Sequence, residues 1–369
     1  MNLYMKSKSI IFFATPQRDV MGDLYKDLLN SFPDKENIIA VVPNAYSLDE
    51  FSDDFFIKIH ENVSNISGRF KRWFEIIKLM YRIKRLNQKY NAKYAYFQID
   101  QIFLDLVFYM FNRNLKYTMW VHDVTEHDGE TFLFKFKKRL MENILYKRFN
   151  NIVVSYKEAA KEIKRKLHDE KINVEILKLP QLKELEFADI KNSNLPIMYD
   201  FIFYGRIEKY KGLELLLKVM TDNEMSKVKL LIVGRGRDDK NIVRQVEKLD
   251  NVDFINEYVP NRKLAEYIKQ SRYVILPYKT ATGSQTIQLA NYYNKLILAT
   301  RVGCFPEYII EGANGFLIDD ITYDCLKESM KKIMKIDSNN YTYKIMKEYD
   351  SFNLGIISNK LYQIITKDQ

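Results

Sequence analysis

The feature that most restricts the fold is an alternation of short apolar runs with longer amphipathic ones, and it starts twice. In the first half the candidate strands are 9–14, 38–42, 94–98, 117–121 and 151–155. Helical stretches fall near 23–31, 69–89, 104–111, 132–149 and 157–168. Strands separated by helix-length segments predict a parallel sheet covered on both faces. The pattern restarts at Tyr199–Tyr204 (YDFIFY), a strand ending at Gly205. Helices at 213–219, 239–250, 262–270 and 285–293 then alternate with strands at 228–233, 252–255, 273–276 and 296–299. Two helical pieces, 323–336 and 354–365, close the chain. Prolines and a charged, non-periodic run at 179–196 mark the break between the halves. The expectation is an α/β chain of two doubly wound, Rossmann-like units, 1–190 and 191–350, followed by a terminal segment 351–369. Ligands of such sheets bind outside the carboxyl ends of the strands, here in a cleft between the units.

Composition narrows the function classes. With 47% apolar residues the chain is globular, and at 369 residues it can bury two cores. The N-terminal apolar run 10–14 is far too short for a leader or a membrane span, so it reads as the first strand. Cys304 and Cys325 show no metal or redox spacing, and the four histidines form no ligand motif. No metal is expected, and a cytoplasmic chain with reduced thiols follows. The net charge of +10 calls for an anionic partner. Nucleic acid is disfavoured, since no helix-turn-helix, zinc-finger or aromatic RNA-binding signature is present. Residues 69–93 instead carry nine Lys/Arg against one acid, Glu75, with Phe70, Trp73, Ile77, Met80 and Tyr81 at helical spacing. Residues 132–148 add six basic residues among bulky apolar ones. Apolar stripes of this kind usually face a core, but aromatics beside a charge run of one sign also suit an anionic lipid interface.

Two stretches carry chemistry. The first is Phe203-Tyr204-Gly205-Arg206-Ile207-Glu208-Lys209-Tyr210-Lys211-Gly212, a strand, a glycine turn and two cations at the mouth of a helix. Arg206 offers a fork of donors and Lys211 a point charge, a pairing suited to a diphosphate. The second is 275–319, where a strand ending at Pro277 passes through Thr280-Ala281-Thr282-Gly283-Ser284 into a helix. Free N–H groups at that helix start, over Gly283, Ser284, Gln285 and Thr286, can hold phosphate. Ser284 suits the N-cap, and Gly283 admits an oxygen close to the backbone. Each loop alone is also an ordinary strand–helix connection. Two in one sheet point to a diphosphate site.

In order along the chain, FYGRIEKYKGLELLL, LLIVGRGRDD, NVDFINEYV, PYKTATGSQT and LILATRVGCFPEYIIEGANGFLID resemble the C-terminal half of the GT-B glycosyltransferases of family 4. Residues 120–130 (WVHDVTEHDGE) are similar to the His-Asp…Pro-His-x-Gly segment of polysaccharide-assembling members, and 349–365 to the helix that crosses back onto the first domain. The resemblance implies a GT-B fold with two Rossmann-like domains and a C-terminal crossover helix. It implies a nucleotide-sugar donor on the second domain and a lipid-linked or oligosaccharide acceptor on the first. No metal or other cofactor is implied, and the reaction has a retaining course in which the donor phosphate deprotonates the acceptor. On the matching positions Arg206 and Lys211 neutralise the leaving diphosphate, aided by Gly205 and the amides from Gly283 to Thr286. His122 faces the donor sugar, and Asp123, His127 and Glu130 contact sugar or acceptor hydroxyls. Gly22, in the first strand–helix connection, lets the chain pass close to the donor phosphates. Gln288, Glu257 and Glu307 complete the donor set.

The chain departs from the family at one point. Two glutamates eight residues apart in many members correspond here to Thr280/Ala281 and Gln288/Leu289, so neither acid is present. Gln288 can bond a hydroxyl, less strongly than a carboxylate. The leading expectation is a peripheral membrane glycosyltransferase of bacterial surface polysaccharide synthesis, on the inner face of the cell membrane. A nucleotide-sugar epimerase of the same architecture and a non-catalytic nucleotide-sugar-binding member are the alternatives. A dinucleotide enzyme is suggested only by Gly234-Arg235-Gly236-Arg237, which lacks the third glycine and the distal acid of that fingerprint.

Overall fold

In the computed structural model the described residues are 10–13, 20–61, 67–97, 102–121, 124, 144–167, 172–181, 188–283 and 285–367. They form two compact units, one of Met1–Lys178 with Leu354–Gln369 and one of Leu179–Asn353.

The first unit is built on a parallel sheet of seven described strands in the order β3-β2-β1-β4-β5-β6-β7. These are β1 (Ile10–Phe13), β2 (Ile38–Pro43), β3 (Ile57–Glu61), β4 (Tyr94–Phe97), β5 (Lys116–Val121), β6 (Asn151–Val154) and β7 (Asn173–Ile176). Strands β2, β4 and β6 are buried at every residue. Such strands read as unbroken apolar runs because helices cover both faces of the sheet. The edge strands β3 (IKIHE) and β7 (NVEI) carry charge and remain part-exposed, so hydrophobicity alone gives no sign of them. The last helix, Leu354–Thr366, packs in this unit. Ser358 donates to the carbonyl of Leu28 at 3.4 Å, and Tyr362 to the Asp34 carboxylate at 2.8 Å. Tyr94 and Asn151 donate to the terminal carbonyls of Thr366 and Ile364, filling acceptors that a helix end leaves open.

The second unit repeats the scheme with β8 (Tyr199–Tyr204), β9 (Leu230–Val233), β10 (Val252–Ile255), β11 (Ser271–Leu276), β12 (Leu296–Thr300) and β13 (Gly315–Ile318). Their order is β10-β9-β8-β11-β12-β13 and every pairing is parallel. Chain direction across the sheet reverses between β8 and β11, so their carboxyl ends flank the switch point where doubly wound sheets take ligands.

Three details differ from the sequence expectation. The second unit starts at Leu179, earlier than residue 191, because this linker is tied into it. Leu179 donates its amide to the Tyr308 hydroxyl at 2.8 Å, and Gln181 donates to the carbonyl of Phe352. Both closing helices are present, as Tyr323–Ile333 and Leu354–Thr366, but a further helix, Thr342–Asp350, lies between them and is separated from the last at Ser351–Asn353. The apolar residues of the helix Arg69–Tyr90 do not form one stripe. Ile76, Leu79, Met80 and Ile83 are buried, whereas Phe70, Trp73, Phe74, Ile77 and Tyr81 are exposed.

Candidate diphosphate site

The loop after β8 is shaped by backbone contacts that only glycine permits. Gly205 has φ +125° and donates its amide to Val233. A Cβ on Gly234 would stand 1.8 Å from the Gly205 carbonyl oxygen, and one on Gly236 would meet the Ile207 backbone at 2.1 Å. The glycine pair that suggested a dinucleotide fingerprint therefore has a steric task, to let the β9 loop lie against the β8 loop. Ile207 donates to the Arg235 carbonyl and accepts from Asp238, which closes the contact. A short 3₁₀ turn, Lys209–Lys211, then delivers Gly212 at φ +72°, where a Cβ would overlap the Pro277 carbonyl oxygen at 1.8 Å.

That overlap shows how tightly the β8 loop is joined to the β11 loop. Lys279 donates its amide to Tyr210 at 2.7 Å, and the Lys211 amine donates to the Tyr278 hydroxyl at 2.6 Å. The two stretches singled out in the sequence thus meet at the switch point of one sheet. The β11 loop is braced from its other side too. Thr300 donates to the Tyr278 carbonyl, Cys304 bonds the carbonyls of Ala281 and Thr282, and Gly303 lies against Ala281.

Lys211 is the unusual group. It is 8% exposed, its amine 4.0 Å from the centre of the Tyr278 ring and 5.5 Å from that of Tyr210. Burial pulls its pKa down to about 7, and the nearby Arg206 guanidinium adds to the depression. Among the described residues no carboxylate pairs with either cation, although Glu208 acts on Lys211 through space in the opposite direction. Gly205 borders the amine, since a Cβ there would stand 3.8 Å from Nζ, and its missing side chain leaves that side of the amine uncovered. Arg206 is exposed one residue further on. A buried cation without a carboxylate partner among the described residues, with a second cation nearby, is a demand for an anion.

The remaining expected residues divide. Gln285 and Thr286 begin the helix Gln285–Tyr292 behind the part-buried Gly283. The Thr286 carbonyl accepts from Tyr204 at 2.7 Å, and its side chain bonds the Tyr278 hydroxyl. Both amide atoms of Gln285 are buried with no hydrogen-bond partner among the described residues. Gln288 is 0% exposed, with Nε2 3.5 Å from the Leu179 carbonyl and Oε1 without a hydrogen-bond partner among the described residues, so it is a core amide here and not a group open to a hydroxyl. Glu307 sits part-buried on the helix Phe305–Tyr308, which Cys304 ties to the β11 loop. Glu257 is exposed beyond the edge strand β10. Gly22 is not in the first strand–helix connection. It is buried as the third residue of the helix Val20–Asn30, which starts earlier than the apolar periodicity suggests. His122, Asp123, His127, Glu130 and Ser284 lie outside the described residues, as does most of the basic stretch 132–148. Tyr278 and Tyr210 were missed by sequence reasoning. The signal available was an aromatic directly after the strand-ending Pro277.

Comparison with known proteins follows the same division. Residues 188–350 match the family described as Glycosyl transferases group 1. An uncharacterized 41.2 kDa protein in the cps region of Klebsiella pneumoniae is 26% identical over 142 residues, 38% of this chain and 37% of that protein. An uncharacterized glycosyltransferase of Methanocaldococcus jannaschii is 29% identical over 151 residues, 40% of this chain and 38% of that one. The match spans well under half of either relative. Among solved structures, a sucrose-phosphate synthase from Thermosynechococcus elongatus superposes with a TM-score of 0.70 at 15% identity, covering 97% of this chain and 98% of that one. Anabaena HepE, solved in complex with UDP and glucose, gives 0.67 at 11% identity over 96% and 98%. The lipopolysaccharide outer core galactosyltransferase WaaB gives 0.63 at 13% over 97% and 98%. These likenesses span both units and establish the GT-B fold.

Proposed function

We propose, since residues 188–350 match the group 1 glycosyl transferases and the chain has a GT-B fold, that it moves a sugar from a nucleotide-sugar to a glycan acceptor. The observation that carries the reading is the Lys211 amine, buried beside Gly205 at the switch point of the second sheet with Arg206 nearby. Negative charge grows on the leaving phosphate oxygen as the glycosidic bond breaks. Donors fixed there in advance act mainly on the transition state. Lys211 and Arg206 supply two charges for that oxygen, and the amides at Gln285 and Thr286 lie on the same braced loop. In this reading His122 faces the sugar, while Asp123, His127 and Glu130 meet acceptor hydroxyls. The course is retaining and needs no metal. HepE, in complex with UDP, makes a uridine nucleotide the first donor class to try.

The acceptor in this reading is lipid-linked, and the enzyme works at an anionic membrane surface on the cytoplasmic side during surface polysaccharide assembly. Support comes from the helix Arg69–Tyr90, where Phe70 is 93% exposed, Phe74 60% and Tyr81 54%. A groove of about 630 Å³ on this helix is lined by Phe74, Ile77, Tyr81 and Leu86, with Lys78, Arg82 and Arg85 on its walls. Apolar side chains set among cations fit a bilayer interface with acidic headgroups. Among the described residues no helix is long and apolar enough to cross a membrane.

The test is a thermal-shift screen with nucleoside diphosphates and their sugars, followed by transfer assays on Arg206→Ala and Lys211→Ala. Each variant is expected to lose at least about 100-fold in kcat. Full activity in both rejects the site. The absent glutamate pair and the buried Gln288 favour one further reading, donor binding without turnover. A chain that binds nucleotide yet forms no product with any acceptor supports it. Epimerised donor formed without acceptor points to the epimerase.

A further inference from the structure

We propose that Tyr278 is a positioning residue for the diphosphate: its hydroxyl fixes the Lys211 amine and leaves the other two N–H bonds for the ligand. The inference rests on the reading of Lys211 as a phosphate ligand and adds to it the group that aims the lysine. Three contacts support it. The Lys211 amine donates to the Tyr278 oxygen at 2.6 Å. The same amine lies 4.0 Å from the centre of the Tyr278 ring, so one residue both restrains it and stabilises its charge. The oxygen is itself held, because it shares a hydrogen bond with the Thr286 side chain. With Thr286 on one side and the lysine on the other, the phenol is fixed from two loops at once. Tyr278 is 2% exposed, so it has no direct route to a ligand and acts through Lys211.

A phenol suits this task better than a carboxylate. It accepts one proton bond from the ammonium without neutralising it, so the remaining charge stays available to an incoming anion. A carboxylate at the same place would satisfy the lysine and compete with phosphate. The groups facing the amine are Arg206, Glu208 and Tyr210 on its own loop, Tyr278 on the β11 loop and Cys304 after β12. None of them supplies a full counter-charge in contact.

The test is calorimetric titration of the full chain with UDP between pH 6 and 9, using wild type, Tyr278→Phe and Lys211→Met. In wild type, affinity should fall about ten-fold per pH unit above the point where the free lysine loses its proton. Tyr278→Phe keeps the ring and removes the oxygen. It should weaken UDP binding about ten-fold at neutral pH, the order expected for a hydrogen bond to a charged group. It should also move the pH midpoint down, because the ammonium loses an acceptor. Wild-type affinity and midpoint in Tyr278→Phe overturn the proposal, and so does uniform weakening with an unmoved midpoint, which is a structural effect only. Lys211→Met should bind weakly and without this pH dependence. Should Lys211→Met bind like wild type, the diphosphate site itself is misassigned. If Tyr278→Phe does not fold, Tyr278→Met removes the same oxygen with a flexible apolar chain, and wild-type UDP affinity and midpoint in it reject the proposal equally.

Discussion

Gly212 and Gly312 offer a controlled comparison of what joins the two site loops. Both have nearly the same backbone, φ +72° and φ +70°. They differ in surroundings: a Cβ at 312 meets nothing within 4 Å, whereas one at 212 would stand 1.8 Å from the Pro277 carbonyl oxygen and 2.9 Å from its carbon. Gly312→Ala therefore carries only the left-handed penalty, about 1–2 kcal/mol. For a unit of this size that lowers Tm by roughly 2–8 °C. Gly212→Ala carries the same penalty plus an overlap with backbone, which cannot rotate away as a side chain could. Carbon and oxygen need about 3.3–3.6 Å even in their closest favourable contacts, so the β8 and β11 loops must part by more than 1 Å. Parting them stretches the Lys279–Tyr210 and Lys211–Tyr278 bonds, two hydrogen bonds at about 1 kcal/mol or more each. The total loss is at least about 3 kcal/mol, or the loops separate and UDP binding disappears while the rest of the unit stays folded. Thermal denaturation with and without UDP distinguishes these outcomes from the control. Equal Tm and equal UDP response in the two variants would refute the idea that a backbone contact at Gly212 holds the site together.

Two further outcomes follow from charge and exposure. Lys211→Met should raise the Tm of the ligand-free protein at pH 7 while abolishing the UDP-induced shift, since it replaces a buried amine that has no carboxylate partner among the described residues by an apolar chain of similar volume; a lowered Tm in a thermal melt contradicts this. The same linkage sets a pH trend. Lys211 is held at about 7 in the fold against about 10.4 in an unfolded chain, so ligand-free stability should rise from pH 7 towards 10, where only the unfolded chain takes up the proton. Lys211→Met should flatten that rise in denaturant melts. On the first unit, Phe70→Ser with Phe74→Ser should leave Tm within a few degrees, both residues being exposed, yet remove flotation with anionic vesicles at low salt. Retained flotation rejects the helix as the lipid-facing element.

Strands with a run of at least four largely apolar residues were legible, so β2, β4, β5, β8 and β12 could be placed from hydrophobicity, the polar Lys116 and Asp200 falling at the less buried starts of β5 and β8. The strands that escaped are β3, β7 and β13. The first two are polar edges, and Gly315–Ile318 is a four-residue edge inside a loop-rich stretch. In the site, Lys211 was legible from its place after a strand and before Gly212. Its burial was not, because a lysine in a loop is solvated unless distant residues cover it. Tyr278 and Tyr210 do so, and they lie 67 residues apart from the amine in one case and adjacent to it in the other. Gln288 shows the reverse error. Its spacing suggested a ligand hydroxyl, but position within the helix Gln285–Tyr292 turns it inward onto Leu179. Periodicity reveals which face a residue occupies only when it is known which face is covered.

The absence of the two acids can be argued from the same balance of charge. A carboxylate in contact with Lys211 would raise its pKa and complete its bonding without any ligand. Tyr278 leaves the cation incomplete, so the fold holds a group whose charge is costly until an anion arrives. If a diphosphate binds there as proposed, binding relieves a penalty already present in the empty site, and affinity gains what stability has lost. At the positions of the two family acids no carboxylate meets the sugar: Thr280 offers only a neutral hydroxyl, Ala281 and Leu289 offer none, and Gln288 is closed off. The charge distribution therefore favours recognition through the nucleotide's phosphates over recognition through the sugar, and donors sharing one nucleoside diphosphate should bind within about ten-fold of one another.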